Sequence, residues 1–173
     1  IDRLKPSARG ELEITEAMQL LIDEKSKVTF DTVTGWWKDT GTPEDIIHAN
    51  RLVLDSIGTN DQFIIKSNAK IKNKIIIGKN SSISTDSIIN GPVIIGDNCT
   101  LNASVSIGPY VSIGNNCSLK KCNIKNSILM NDCKIDTKIN IFDSIIANGS
   151  EIEDMKEERK CQLLLGERSH LKL

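Results

Sequence analysis

The sequence predicts a mainly β protein: a parallel β-helix of hexapeptide repeats over residues 62–173, preceded by a small α/β piece over 1–55 and a linker at 56–61. Three observations predict it. Aliphatic residues recur at every sixth position from Ile65 to Leu119. The chain of 173 residues holds 27 Ile and 15 Asn but is only 3% aromatic, which suits strands and tight turns rather than an ordinary mixed core. Before Asp55 the apolar spacing is helical instead.

In chain order, residues 15–25 read as a helix, with Thr15 as the expected N-cap and Ala17, Met18, Leu21 and Ile22 on one face. Thr29 to Thr34 reads as a short strand. A second helix is expected over 43–54. Thr42 can cap it, Pro43 suits its first position, and Asp45 completes a Thr-x-x-Asp capping box. Its apolar face is Ile46, Ile47, Ala49, Val53 and Leu54, with Asn50 beside it. Asp55 to Asp61 reads as the linker. Two helices and a strand bury little apolar surface on their own, so this piece reads as the end of a larger α/β domain.

The second rule then takes over. Ile65, Ile71, Ile77, Ile83, Ile89, Ile95, Leu101, Ile107, Ile113 and Leu119 are ten consecutive aliphatic hits. Four residues after each comes a mostly small or β-branched residue: Ala69, Ile75, Ser81, Ser87, Val93, Cys99, Val105, Val111, Cys117 and Asn123. Gly78, Gly96, Gly108 and Gly114 follow the aliphatic position, with Asn90 and Asn102 in the same slot. Each hexapeptide is then one short strand and a corner, with Gly or Asn easing the backbone there. Three make a coil, and coils stack roughly 4.8 Å apart. Cys99 and Cys117, 18 apart, should stack inside as small buried hydrophobes. After Leu119 the interior positions become Ile124, Leu129, Ile135, Ile141, Ile146 and Ile152, which implies sides of five residues. The charged run Glu153 to Lys160 reads as an excursion, and Leu165 to Leu171 restores the repeat as a last, capping turn.

Composition excludes several functions. Lys+Arg is 22 and Asp+Glu 23, a balance unlike a nucleic-acid groove or a polybasic membrane anchor. No apolar window is long enough to span a membrane. Five Cys without a C-x-x-C pair read as reduced cysteines of a cytoplasmic protein. They are spread over different coils without a neighbouring His, which disfavours zinc. The start, Ile1-Asp2-Arg3-Leu4, is neither a signal peptide nor an initiator, so a fragment is expected.

Lys5-Pro6-Ser7-Ala8-Arg9-Gly10-Glu11-Leu12-Glu13-Ile14-Thr15, followed by Gly35-Trp36-Trp37-Lys38-Asp39-Thr40-Gly41-Thr42-Pro43-Glu44-Asp45 and by Ala49-Asn50-Arg51-Leu52-Val53-Leu54-Asp55, resembles the end of the catalytic domain in sugar-1-phosphate nucleotidylyltransferases. The nearest resemblance is to the long form of glucose-1-phosphate thymidylyltransferase, whose catalytic domain is followed by a left-handed β-helix. The resemblance implies attack of a sugar-1-phosphate on a nucleoside triphosphate, with release of pyrophosphate, aided by Mg²⁺ and basic groups. It makes Asp39 a Mg²⁺ ligand; read from the residues alone, Asp39 is equally an Asx-turn former. Arg9 becomes a catalytic and substrate-binding residue near the sugar phosphate, against a structural ion pair. Trp37 lines the sugar site or serves as a core tryptophan, and Glu11 orients its segment. The family's Gly-rich nucleotide loop, first Mg²⁺ aspartate and Glu-Lys-Pro segment are absent from this sequence. The expectation is therefore the C-terminal portion of such an enzyme, inactive by itself; the resemblance further implies a β-helix that serves assembly or regulation in a homo-oligomer, often a trimer.

The competing reading is a hexapeptide acyltransferase using acetyl-CoA. Such enzymes use a His on a coil as general base. Only His48 and His170 exist, one on the predicted second helix and one in the terminal turn.

Overall fold

A computed structural model describes residues 3–57, 70–153, 159–161 and 163–172, with side chains for 3–57, 70–153 and 163–169. The chain divides into two compact units, Ile1–Trp37 and Lys38–Leu173. The composition changes near Asp55, but the second unit begins earlier and takes in the second helix.

In the first unit, α1 spans Ile14–Asp23. Thr15 is not its N-cap: Glu13 holds that position, without a side-chain capping bond. The Glu13 carboxylate instead accepts from Ser7 Oγ (2.9 Å) and from the Arg9 guanidinium (2.8 Å). The helix stops at Lys25, which takes a left-handed conformation (φ 60°). Lys25 N donates to Ile22 O and Ser26 N to Leu21 O, both at 2.9 Å, closing the orphan carbonyls. No residue of α1 is buried. Thr29 to Thr34 does not form the expected strand. A strand needs a pairing partner, and none pairs with it among the described residues.

In the second unit, α2 spans Pro43–Ser56. Its start is as expected: Asp45 N donates to Thr42 Oγ1 (3.2 Å), and that hydroxyl donates to Asp45 Oδ2 (2.8 Å). A β-solenoid of about five turns follows. Its first described coil is β1 (Lys70–Lys72), β2 (Ile75–Ile77) and β3 (Ser82–Ile83). Each begins one parallel stack, so the solenoid has three faces.

The registers align the aliphatic residues into three interior columns. The first runs Ile71, Ile89, Ile107, Ile124, Ile141. The second runs Ile77, Ile95, Ile113, Leu129, Ile146, Leu165. The third runs Ile83, Leu101, Leu119, Ile135 and Ile152, and the backbone of Leu171 pairs in register with Ile152. From Ile89 to Ile152 these side chains are almost wholly buried. Each contributes about 1.5–3 kcal/mol by leaving water. Ile65 and Ala69 lie outside the described residues, as do most of the linker and the centre of the expected excursion. Cys99 and Cys117 stack inside as expected, and Cys133 continues the column.

Two features differ from the expected physics. Gly78, Gly96 and Gly114 are not needed for a positive φ. They are needed for close approach: a Cβ on Gly96 would lie 2.7 Å from the Gly114 backbone of the next coil. The left-handed corners fall two residues later, on Asn80, Asn98, Asn116 and Asp132. The asparagines also do more than face solvent. Lys79 N, Asp97 N, Asn115 N and Asn131 N each donate to the side-chain oxygen of Asp97, Asn115, Asn131 and Asn148 on the next coil, at 2.6–2.9 Å. These ladders satisfy corner amides that no strand partner reaches.

Candidate functional site

The residues singled out by sequence fall in both units. Arg9 and Trp37 belong to the first, Asp39 to the second. The Arg9 guanidinium pairs with Glu13 one helical turn on and stays largely exposed. Together with Ser7 it holds the Glu13 carboxyl below its usual range. Arg9 thus makes the structural ion pair, and the pair leaves most of its donor fork on the surface. Ser7 N donates to Glu11 O (2.8 Å) and Gly10 N to Ser7 O (2.8 Å), so Glu11 closes the turn that carries Arg9. Trp37 is 75% exposed in this chain.

Asp39 is exposed on the loop Lys38 to Thr42, just before α2. Both ends of that loop are tied to one carboxylate. Asp45, in the first turn of α2, pairs with Lys38 Nζ at 2.6 Å and with the Thr42 hydroxyl. Hydrogen bonds from Lys38 and Thr42 hold the Asp45 carboxyl below its usual range. The Asp39 carboxylate therefore projects from a short loop pinned at both ends. Among the described residues no cluster of three or more His, Cys, Asp or Glu side chains could hold a metal. Mg²⁺ is commonly held by one or two carboxylates, with substrate phosphates completing the shell. An exposed carboxylate on a pinned loop fits that role as one ligand of the set.

The helix behind the loop is seated on the solenoid, and this the sequence reading missed. The buried face of α2 is Ile47 and Leu54, with Asn50 half-buried between them and Arg51 exposed beside it. Ile46 and Val53, expected on that face, are exposed. Asn50 Oδ1 accepts from Ser112 Oγ (2.6 Å), and Lys74 Nζ donates to Asp55 O (3.0 Å). The nearby Asp55 carboxylate raises the pKa of the Tyr110 phenol. A signal for this seat was present. On the face that begins with β2, the outward strand positions are also aliphatic: Ile76, Ile94, Ile128 and Ile145, aligned in register around Ser112.

A cavity of about 310 Å³ lies along this seam, lined by Glu44, Ile47, His48, Arg51, Asn126 and Asp143. His48 is exposed at its edge, on the helix rather than on a coil. His170 pairs through its backbone with Glu151 in the last described coil. No helix among the described residues is long and apolar enough to cross a membrane.

Comparisons with known proteins cover both parts of the chain. Residues 1–56 match the nucleotidyl transferase family, and residues 89–172 match the GMPPB C-terminal domain. The low-salt glycan biosynthesis nucleotidyltransferase Agl11 of Haloferax volcanii is 42% identical over 176 residues, covering 100% of this chain and 49% of that protein. A glucose-1-phosphate thymidylyltransferase of Streptomyces antibioticus is 32% identical over 80 residues, 46% of this chain and 22% of the relative. The bifunctional protein GlmU of Methanocaldococcus jannaschii is 43% identical over 77 residues, 44% of this chain and 19% of the relative. The chain thus spans about half the length, or less, of these relatives.

Proposed function

Because the chain belongs to the sugar-1-phosphate nucleotidyltransferase family, we propose that it is the carboxy-terminal part of an enzyme that joins glucose-1-phosphate to dTTP, giving dTDP-glucose and pyrophosphate. The observation that carries this reading is the alignment of the whole chain, solenoid included, with a nucleotidyltransferase at 42% identity. A sugar-phosphate oxygen attacks the α-phosphorus and pyrophosphate leaves. The protein's share is positioning and charge stabilisation. Arg9, exposed on its turn, pairs with the sugar phosphate, and Trp37 offers its open ring face to the sugar. Asp39 would be one ligand of a Mg²⁺ ion, whose charge would offset that of the phosphates. The 173-residue chain is inactive alone, because Gly-rich backbone amides that cradle a triphosphate are absent from its sequence. The solenoid serves assembly or regulation, in a homo-oligomer of cytoplasmic subunits for which a trimer is one arrangement.

The test is pyrophosphate release by the whole enzyme from a panel of nucleoside triphosphates and sugar-1-phosphates. Release with dTTP and glucose-1-phosphate, lost in Asp39→Ala, supports the reading. Release with no pair at all overturns it. Light scattering of the chain reads the subunit number.

A second reading, acetyl transfer on the solenoid, is favoured by one observation. A bifunctional nucleotidylyltransferase/acetyltransferase of Sulfurisphaera tokodaii is 36% identical over 85 residues, 48% of this chain. Against it, residues 70–153 contain no His to act as base. Heat on titration with acetyl-CoA would favour this second reading.

A further inference from the structure

The seam between α2 and the solenoid contains a receptacle built for one side chain. Tyr110, Asn126 and Asp143 occupy the same corner of three successive coils, all with left-handed backbones (φ 62°, 45° and 48°). Arg51 meets all three. Its Nε donates to Asn126 Oδ1 at 2.5 Å, its terminal nitrogen lies 3.9 Å from Asp143 Oδ1, and its guanidinium lies 5.8 Å from the centre of the Tyr110 ring. Asn126 Nδ2 donates in turn to Asp143 Oδ1, so acceptor and counter-charge are held together. An aromatic face, an amide oxygen and a carboxylate stacked in one column thus meet the ring face, the Nε donor and the charge of one guanidinium.

We propose that the solenoid holds the Asp39 loop in place, and that Arg51 is the positioning residue through which it does so. The inference rests on the reading of Asp39 as a metal ligand. The chain of contacts is continuous. Asp45 ties Lys38 and Thr42, and so both ends of the loop, to the first turn of α2. Arg51 lies six residues further on, about 9 Å along a helix. A helix of 14 residues is marginal alone in water, so its first turn is only as fixed as its seat. Ile47 and Leu54 supply apolar contact that tolerates sliding, and Asn50 and Asp55 each add one bond, from Ser112 and from Lys74; Arg51 alone of these meets three coils and so fixes register most tightly. Displacement of the loop by about 1 Å is enough to degrade a phosphoryl-transfer geometry.

The test uses Arg51→Met and Arg51→Lys, with amide hydrogen exchange read by mass spectrometry on the chain. Arg51→Met should speed exchange over residues 39–47 by about tenfold or more, with the strands from Val93 to Ile113 unchanged. Arg51→Lys should fall between, keeping charge near Asp143 without the planar fork. Unchanged exchange at 39–47 overturns the inference. Equal loss of protection throughout the solenoid also overturns it, because Arg51 would then support the coils rather than the loop. In the whole enzyme, Arg51→Met should raise the Mg²⁺ concentration for half-maximal rate several-fold at constant KM for sugar-1-phosphate. Faster exchange with an unchanged Mg²⁺ requirement would keep the hold and sink the metal role of Asp39.

Discussion

Two glycines that occupy the same slot of the repeat should respond in opposite ways to an added methyl group. Gly96 and Gly166 each follow an interior aliphatic residue, Ile95 and Leu165, in one column of strands, four coils apart. A Cβ on Gly96 would lie 2.4 Å from Asn115 Oδ1 and 2.7 Å from the backbone carbon and oxygen of Gly114. Asn115 Oδ1 cannot swing aside freely, because it accepts from Asp97 N at 2.8 Å. The Gly114 backbone cannot retreat either, since Gly96 N donates to Ile113 O at 2.8 Å and fixes the coil spacing. Overpacking costs about 1–3 kcal/mol and the lost ladder bond about 1 more, so Gly96→Ala should cost about 2–4 kcal/mol. At Gly166 the nearest atom to a new Cβ is Ser169 Oγ at 3.9 Å, an ordinary contact. There Ala should fit and stabilise by about 0.4–1 kcal/mol, by narrowing the unfolded ensemble. Urea unfolding followed by far-UV circular dichroism measures both. Equal stabilities for the two variants, or loss only at Gly166, would refute the claim that close approach of coils selects these glycines.

Leu54→Ala should cost about 2–5 kcal/mol and speed exchange in α2, because Leu54 is fully buried. Its neighbour Val53→Ala should stay within about 0.5 kcal/mol in the same urea assay. Hydrogen bonds from Lys38 and Thr42 depress the Asp45 carboxyl from its ordinary 3.8. Its contribution is therefore complete above that value and lost as pH falls through the lower folded value. Amide exchange over residues 39–47 on acidification should show that loss, and Asp45→Asn should abolish it. Cys99, Cys117, Cys122 and Cys133 are buried, and burial pushes the Cys122 thiol up to about 12. The thiols of Cys133 and Cys99 on either side, with burial, push Cys117 up as well. A thiol reagent at mildly alkaline pH should label none of the four until urea is added, as read by peptide mass mapping. Native labelling of Cys117 would contradict an interior column.

The solenoid was legible because one environment repeats. Every sixth side chain meets the same neighbours on the coils above and below, so Ile71 to Ile152 advertise their burial without knowledge of anything distant. The start of α2 was legible for a similar reason: Thr42, Pro43 and Asp45 act on backbone groups within one turn. The misreadings share the opposite cause. Thr15 lost the N-cap position to Glu13, one turn ahead of Ala17, and the Glu13 carboxylate turned back to Ser7 and Arg9. The asparagine ladders were not legible because their partners lie a whole coil away: Asn80 donates to Asn98, and Asn98 to Asn116, both at 3.3 Å. Of the site, residue types were legible from resemblance, but the seat was not. Arg51 acquires its meaning from Tyr110, Asn126 and Asp143, which no local pattern connects to it.

That difference bears on where the chain should be cut. A boundary placed at the change of composition near Asp55 follows the repeat, and the nucleotidyl transferase match ends at residue 56. The packing boundary falls between Trp37 and Lys38. Between the two lies α2, which by sequence goes with the nucleotidyltransferase segment and by contact goes with the coils. Severing the chain at Asp55 would strip Ile47 and Leu54 of their cover and expose the aliphatic column Ile76, Ile94, Ile128 and Ile145 on the solenoid. An apolar stripe of that kind drives self-association. A piece beginning at Ser56 should therefore aggregate where one beginning at Lys38 stays dispersed in sedimentation. Equal dispersion of both pieces would mean that the helix is an ornament on a finished solenoid, and Asp39 would then owe nothing to the coils behind it.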